Sequence, residues 1–113
     1  MAKGDYLGEF EQLVLLAILR LEDDAYGMTV RRELERTAQR KVTLGSVYGT
    51  LDRLERKGLV RSWHTDPDPV RGGHPRRYFA ASPEGHLALS RTQAMMKRMW
   101  AGVDLQVEGE AAG

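Results

Sequence analysis

The sequence predicts a mainly α-helical fold with one small β-hairpin and a long last helix. Three observations carry this prediction. Apolar residues recur at intervals of three and four in four separate stretches, which is the spacing of one face of an α-helix. Two short apolar segments flank a stretch between residues 66 and 75 that is rich in proline and glycine, which is typical of a hairpin. Ser82 and Pro83 open the last helical stretch, and both residue types are favoured at a helix N-terminus.

Composition narrows the class of protein. The 113 residues, 42% hydrophobic and 29% charged, fit one compact domain. The absence of cysteine excludes disulfides and thiolate metal sites and suits a reducing cytosol. The longest apolar run, residues 13–19, is too short for a bilayer, which needs about 20 residues, and its acidic upstream flank differs from a secretory signal. We therefore expect a soluble cytoplasmic protein without membrane contact.

The net charge of +1 conceals a regional asymmetry. Residues 1–24 contain two basic and six acidic side chains, whereas residues 31–61 contain nine basic and four acidic ones. Such a distribution indicates a polyanionic partner on one side of the molecule. Nucleic acid is favoured over a membrane surface, because no basic amphipathic helix with an aromatic face accompanies the charge.

The first helix is predicted over residues 9–21, after a loose arm at 1–8. Apolar side chains cover nearly its whole circumference. One stripe consists of Phe10, Leu13, Val14, Ala17 and Leu21, and much of the remainder is filled by Leu15, Leu16, Ile18 and Leu19. Because a helix of this kind must be covered on both sides, the pattern predicts a partner subunit.

The second helix is predicted over residues 26–38, after a polar turn at 22–24. Val30, Leu34 and Ala38 recur at helical spacing along it. A short connection at 39–42 leads to a third helix. Two helices joined by such a turn are the helix-turn-helix arrangement.

The third helix lies within residues 43–60, where Thr43 is expected to cap its start and Gly58 to end it. Its inward stripe consists of Leu44, Val47, Leu51 and Leu54, and its outward face of Gly45, Ser46, Gly49, Asp52, Arg53 and Arg56. A glycine inside a helix costs about 1 kcal/mol relative to alanine. Two glycines on the outward face therefore indicate close approach of another backbone, and we interpret this segment as a recognition helix. The alternative is a surface helix with a solvated charged face.

A β-hairpin is predicted next, with strands at 59–65 and 76–81. Trp63 is the large side chain of the first strand, and Tyr78 and Phe79 should point to opposite faces of the second. Prolines end regular pairing near residue 67, and residues 70–75 form a basic tip. A helix-turn-helix followed by such a hairpin is a winged helix, whose wing lies beside or in the minor groove of DNA.

The last helix is predicted from Pro83 to about residue 107, roughly 37 Å at 1.5 Å per residue. Its stripe consists of Leu89, Met96, Trp100, Val103 and Val107, with Met95 and Met99 beside it. A helix this long cannot bury its stripe within so small a domain. The predicted organisation is thus a winged helix-turn-helix domain at 9–81, a dimerisation helix at 82–107 and a flexible tail at 108–113.

The order of elements and several local motifs resemble the PadR family of bacterial winged-helix transcriptional regulators. The matching segments are residues 13–21, Tyr26-Gly27, Gly45-Ser-Val-Tyr48 with Leu51, Leu54 and 58–60, Trp63, Pro75-Arg-Arg-Tyr-Phe79 and Ser82-Pro-Glu-Gly85. The resemblance covers residues 9 to about 100. It implies a homodimeric repressor that binds an inverted repeat and is released by a ligand or signal, within the short subfamily that has one terminal helix. Tyr48 should then hold a phosphate, whereas Met28 and Gly49 depart from the family's usual Tyr and Pro.

The candidate site residues fall into three sets. The DNA-binding set is Arg31, Arg32, Thr43, Gly45, Ser46, Tyr48, Gly49, Arg53, Arg56, Arg71, Gly72, His74 and Arg76, of which the first two are positioning contacts to the backbone. The dimer set is Phe10, Leu13, Leu16, Leu89, Met95, Met96, Met99, Trp100 and Val103. The third set, Met96, Met99 and Trp100, either packs at the dimer seam or borders a pocket for a planar aromatic effector.

The function predicted is a sequence-specific regulator of transcription, a repressor whose dimer places two recognition helices about 34 Å apart. The alternatives are a winged-helix module for protein contacts and a dimer that sequesters small molecules. An enzyme is not expected, because the sequence lacks a cysteine nucleophile, a serine elbow and a phosphate loop. No cofactor and no metal are expected either, although His64, Asp66 and Asp68 alternate near His74 and His86.

Overall fold

The computed structural model describes residues 6–66 and 75–107. Within them the chain is mainly helical, with a two-stranded antiparallel hairpin, as the sequence predicts. The elements are α1 (Glu9–Leu21), a 3₁₀ turn (Glu22–Asp24), α2 (Gly27–Thr37), α3 (Leu44–Arg56), β1 (Val60–His64), β2 (Arg77–Ala81) and α4 (Pro83–Trp100). Arg71, Gly72 and His74 of the expected wing tip lie outside the described residues, as does the expected tail at 108–113. Among the described residues, no helix combines the length and apolar character needed to cross a membrane.

Helix α1 is the centre of the domain, and α2, α3, β2 and α4 all pack against it. Its neighbours bury Val14, Leu15 and Ile18, whereas Leu16 remains 44% exposed. The domain itself thus supplies most of the cover for α1 that the sequence analysis expects from a partner subunit. Elements from later in the chain cover most of its circumference and leave one apolar side chain on an open flank.

The core forms where the inward faces of α2, α3 and β2 pack against α1. Side chains that are at most 2% exposed come from α2 (Val30, Leu34), α3 (Val47, Leu51, Leu54) and β2 (Phe79). The helical residues among them are positions that the periodicity selects. Of the other selected positions on α2 and α3, Leu44 is only half-buried and Ala38 lies exposed beyond the end of α2.

The wing sheet has a third participant that the sequence does not reveal. Strands β1 and β2 pair in the register Trp63↔Tyr78. The Phe79 N–H also donates to the Ala25 carbonyl oxygen at 2.9 Å, and Tyr26 forms an isolated bridge with Tyr78. The entry to α2 is thus tied to β2, which lies between this segment and β1.

Helix α4 begins on the domain and ends away from it. Ser82 caps it by accepting from the Gly85 N–H at 3.0 Å, and a Cβ at Gly85 would lie 2.1 Å from the Leu59 carbonyl oxygen. Further along, the buried Thr92 hydroxyl accepts from the Leu7 N–H at 3.2 Å. These contacts fix the first half of the helix.

The expected extension of α4 to residue 107 is wrong. The helix ends at Trp100, and Gly102 follows in a left-handed conformation with φ of +79°. Eighteen helical residues span about 27 Å. Val103 and Val107 continue the apolar spacing in the sequence, but they lie beyond the helix and are about half exposed. A left-handed glycine ends the helix here, as it commonly does.

Candidate nucleic-acid interface

Helix α3 presents a nearly smooth surface over its first two turns. Thr43 caps it by accepting from the Ser46 N–H at 3.0 Å, and the Ser46 hydroxyl donates to the Thr43 carbonyl oxygen at 2.9 Å. Gly45 and Gly49 are exposed one turn apart. A Cβ added at Gly49 would meet nothing within 4 Å, and one at Gly45 would meet only the Thr43 hydroxyl at 4.0 Å. Packing within the domain requires neither glycine.

Tyr48 lies on the flank of α3 that faces α2. Its ring occupies the space above Gly27, where a Cβ would be only 2.5 Å from the Tyr48 Cζ and hydroxyl oxygen. Gly27 therefore has a definite role, because its lack of a side chain admits the ring. The phenol is consequently held at the N-terminal end of α2, half-buried.

Arg76 at the base of the wing is held by aromatic side chains. Its guanidinium lies 4.0 Å from the centroid of the Tyr26 ring. Tyr26 in turn meets Tyr78 edge to face at 5.5 Å, and Trp63 stacks on the other side of Tyr78 at 6.3 Å. A hydrogen bond to Tyr78 raises the pKa of Arg76 further above its ordinary value. The sequence predicts the charge at this position but not its aromatic support.

Tyr48 and Arg76 border one open cleft of about 390 Å³ between α2, α3 and the wing. The cleft is lined by Tyr26, Met28, Tyr48, His64, Pro75, Arg76 and Arg77. Arg77 also fastens the wing to α3, because it donates to Asp52 at 3.1 Å and to Glu55 at 2.6 Å. We call the surface formed by α2, α3 and the wing the basic face. The bonds from Arg77 hold the wing in a fixed position relative to α3 within it.

Arg53, predicted to face DNA, is directed instead toward α1. Its Nε donates to Glu11 Oε2 at 3.3 Å and its Nη2 to Thr50 at 3.3 Å. Lys57 donates to the same carboxylate oxygen at 2.7 Å. Arg56 is exposed and makes no ion pair with any residue of 6–66 or 75–107. Of the two arginines on α3, it is the one without an ion-pair partner in the part of the chain that the structure describes.

Glu11 is a residue of this face that the sequence does not identify. It is buried on α1 although it is charged. Burial raises the pKa of its carboxyl, but hydrogen bonds from Lys57, from the Gly8 N–H and from Arg53 outweigh that effect, and the pKa lies below its ordinary value. The sequence signal that could identify Glu11 is an acidic residue in the first turn of a helix that is otherwise apolar nearly all round.

The cations of α2 contribute unequally to the surface. Arg32 is exposed, while Arg31 is partly buried with its Nε 3.9 Å from a Glu35 carboxylate oxygen. Arg36 is exposed but pairs with the buried carboxylate of Glu33 on the same helix. Glu33 also accepts from Thr37 at 2.5 Å and from Arg20 of α1 at 2.7 Å.

Hydrogen bonds from Thr37, Arg20 and Arg36 lower the pKa of Glu33 to about 2. This cluster joins α1 to α2 and uses two arginines in doing so. Within residues 6–66 and 75–107, no three histidine or acidic side chains come together as a metal site, while Asp68 and His74 lie outside this part.

The predicted dimer and effector residues lie on α1 and α4, apart from Val103, which follows α4. Phe10, Leu13 and Leu89 pack partly against the core, whereas Met99 and Trp100 are 71% and 51% exposed. An open groove of about 620 Å³ separates α1 from α4. It is lined by Gln12, Leu16, Leu19, His86, Leu89, Ser90, Gln93, Met96 and Lys97.

Comparison with known proteins identifies similar chains. Residues 15–91 match the model of the Transcriptional regulator PadR-like family. Over 78 residues the chain is 32% identical to Transcriptional regulator Rv3488 of Mycobacterium tuberculosis, which covers 69% of this chain and 68% of that protein.

Two solved structures share the fold. A PadR-like transcription factor from Bacteroides fragilis superimposes with a TM-score of 0.70 at 24% identity, over 80% of this chain and 82% of that one. A PadR family transcriptional regulator from Eggerthella lenta gives a TM-score of 0.66 at 26% identity, over 83% and 81% of the two chains.

Proposed function

The chain belongs to the PadR-like family of transcriptional regulators, and from this premise we propose that it is a homodimeric repressor that binds an inverted repeat in DNA and responds to a small molecule. The observation that carries the proposal is the arrangement of the basic face. The Tyr48 phenol and the Arg76 guanidinium border one cleft, and Tyr48 belongs to the same turns of α3 as the exposed Gly45 and Gly49. The cytoplasmic location that the sequence predicts would give the protein access to chromosomal DNA.

Helix α3 enters the major groove in this proposal. Gly45 and Gly49 let its backbone approach the base edges, and the exposed guanidinium of Arg56 is available for a base or a phosphate. Thr43 and Ser46 mark the N-terminal end of the helix, where backbone N–H groups favour a phosphate. Because the outward face of the first two turns carries only Gly45, Ser46 and Gly49, readout depends on a close fit of the backbone.

Phosphate contacts flank the helix on both sides. Tyr48 and Arg76 hold one backbone segment beside the cleft, and Arg31 and Arg32 of α2 act as positioning contacts. Arg71, Gly72 and His74 are proposed to reach the minor groove from the wing tip. Arg53 belongs to this face as a flanking cation whose direction is set by Glu11.

The dimer is proposed to form through the C-terminal half of α4. Met95, Met96, Met99 and Trp100 continue the inward stripe of the helix beyond the last contacts with the domain. The groove between α1 and α4 contains the exposed Leu16 and offers an apolar surface to a partner's helix. A two-fold dimer places its recognition helices about 34 Å apart, one helical turn of DNA.

The effector is proposed to be a planar aromatic molecule that stacks on Trp100 at the dimer axis. The indole is about half exposed and is flanked by methionines, which adapt to varied ligands. The chain has two tryptophans. A Trp63→Phe protein would therefore report on Trp100 alone when its fluorescence is titrated with planar cationic dyes. A Trp100→Ala protein that bound the dyes equally well would refute this site.

In vitro selection of duplexes from a random library at near-physiological salt tests the central proposal. We expect enrichment of an inverted repeat whose half-sites are one helical turn apart. Retention without any enriched motif would contradict sequence-specific reading and would favour the alternative of a module for protein contacts. An Arg56→Gln protein provides the matched comparison, and its selected motif should be weaker or altered at the positions next to α3.

A further inference from the structure

A buried carboxylate of α1 accepts hydrogen bonds from two cations at the C-terminal end of α3. Glu11 lies 42 and 46 residues before Arg53 and Lys57, yet one of its oxygens accepts from both. The Glu11 side chain is 9% exposed, whereas those of Arg53 and Lys57 are 48% and 34% exposed. The cations therefore lie at the surface and the carboxylate lies behind them.

The pairing is fixed by the burial of Glu11. A buried carboxylate without partners is strongly unfavourable, so Glu11 retains its cations when another anion approaches. Its second oxygen accepts from the Gly8 N–H at 3.0 Å, which prevents the carboxylate from following the cations outward. Arg53 is held further by Thr50. The group of three carries one net positive charge where the two cations alone would carry two.

We propose that Glu11 is a positioning residue of the DNA-binding face, which holds Arg53 and Lys57 against α1 and thereby limits the affinity for DNA of arbitrary sequence. This inference rests on the proposed function, because it assumes that the basic face binds DNA. Phosphate attraction supplies essentially all of non-specific binding. Withdrawing two cations from the phosphates makes binding depend more on the contacts along Gly45, Gly49 and Arg56. Glu11 thus determines specificity without contacting DNA.

The test compares Glu11→Gln with the natural chain on a duplex of arbitrary sequence over a range of salt concentrations. The amide keeps the size of the side chain but removes its charge. We expect tighter non-specific binding and a plot of log affinity against log salt that is steeper by about 0.9 for each cation released to a phosphate. The gain should shrink about threefold per released cation between roughly 50 and 200 mM salt. A role of Glu11 in folding alone would leave this slope unchanged.

Glu9→Gln is the matched control. Glu9 lies two residues earlier on α1, is largely exposed and pairs with Arg40, which is not on α3. An exposed pair is already loose and screened, so we expect the salt slope of Glu9→Gln to equal that of the natural chain. An equal effect of both substitutions would mean that only net charge matters and would overturn the inference.

Lys57→Gln tests the inference independently. In the natural background it remains informative even if Glu11→Gln does not fold. In the natural background we expect little change in non-specific affinity, because Glu11 holds the Lys57 ammonium away from the phosphates. In the Glu11→Gln background the same substitution should remove most of the gain. Loss of a full 0.9 in slope with Glu11 present would refute the inference. If the natural chain bound no duplex even at low salt, the proposed function itself would fail and the inference with it.

Discussion

Replacing Gly49 by alanine should stabilise the protein and weaken its binding to DNA. The residue lies inside α3, and a Cβ there meets nothing within 4 Å. Alanine is more favourable than glycine in a helix interior by about 0.5–1 kcal/mol. For a chain of this size that gain corresponds to a rise in melting temperature of about 2–4 °C. Nothing in the domain opposes it.

The unfavourable effect of Gly49→Ala is expected in DNA binding and not in folding. The added methyl group projects about 1.5 Å from the Cα on the face proposed to enter the major groove, and it prevents the closest approach of the backbone. We expect a loss of about 1–3 kcal/mol in specific binding per half-site, comparable to the loss of a base contact. Two measurements are needed, thermal unfolding followed by circular dichroism and fluorescence anisotropy with the selected duplex.

Gly85→Ala provides the contrast in the first measurement. A Cβ at Gly85 would lie 2.1 Å from the Leu59 carbonyl oxygen, so this variant should lose stability by more than about 2 kcal/mol. Two helical glycines should thus respond with opposite signs. If Gly49→Ala were more stable and bound DNA as tightly as the natural chain, the glycine would have no part in recognition. If it were less stable, the open space at Gly49 would be refuted.

Three further outcomes are expected. Gly27→Ala should displace the Tyr48 ring and weaken DNA binding about as much as Tyr48→Phe, and unchanged binding would remove the phenol from the interface. Because the folded-state pKa of Glu33 is lowered to about 2, its contribution to stability is complete above its ordinary pKa of 4.5 and is lost as the pH falls toward 2. The urea midpoint of Glu33→Gln should therefore fall less between these values than that of the natural chain, and an equal fall would contradict the assignment. Met99→Lys should dissociate the proposed dimer in sedimentation. Leu87 is also apolar and exposed but lies in the first half of α4, away from the proposed interface, so Leu87→Lys should not. Equal behaviour of the two would exclude this face of α4 as the interface.

The sequence predicts the helices well where the signals are local. Thr43 and Ser82 cap their helices through bonds to an N–H three residues later, and Gly58 adopts the left-handed conformation that ends α3, with φ of +76°. The end of α4 is the exception. Gly102 is a stop signal of the same kind, but the apolar spacing at Val103 and beyond predicts continuation.

The misjudged features are those that depend on distant parts of the chain. The hydrogen bond from Phe79 to Ala25 adds the segment before α2 to the wing sheet. This paired segment is too short to produce the alternation of apolar and polar residues that marks a strand in the sequence. The residues of α1 alone do not show how much of the helix is covered, because α4 and β2, which cover much of it, come from distant parts of the chain.

The sequence by itself determined where helices begin, which faces are apolar and where positive charge accumulates, because each depends on residues within one or two turns of each other. Only the tertiary structure decided what the charges do. Arg53 and Arg56 are alike in sequence and both lie on α3. Packing of α1 against α3 brings Glu11 to Arg53 and leaves Arg56 open to solvent. Partners 42 residues apart meet only when the helices pack, and no local pattern records that contact.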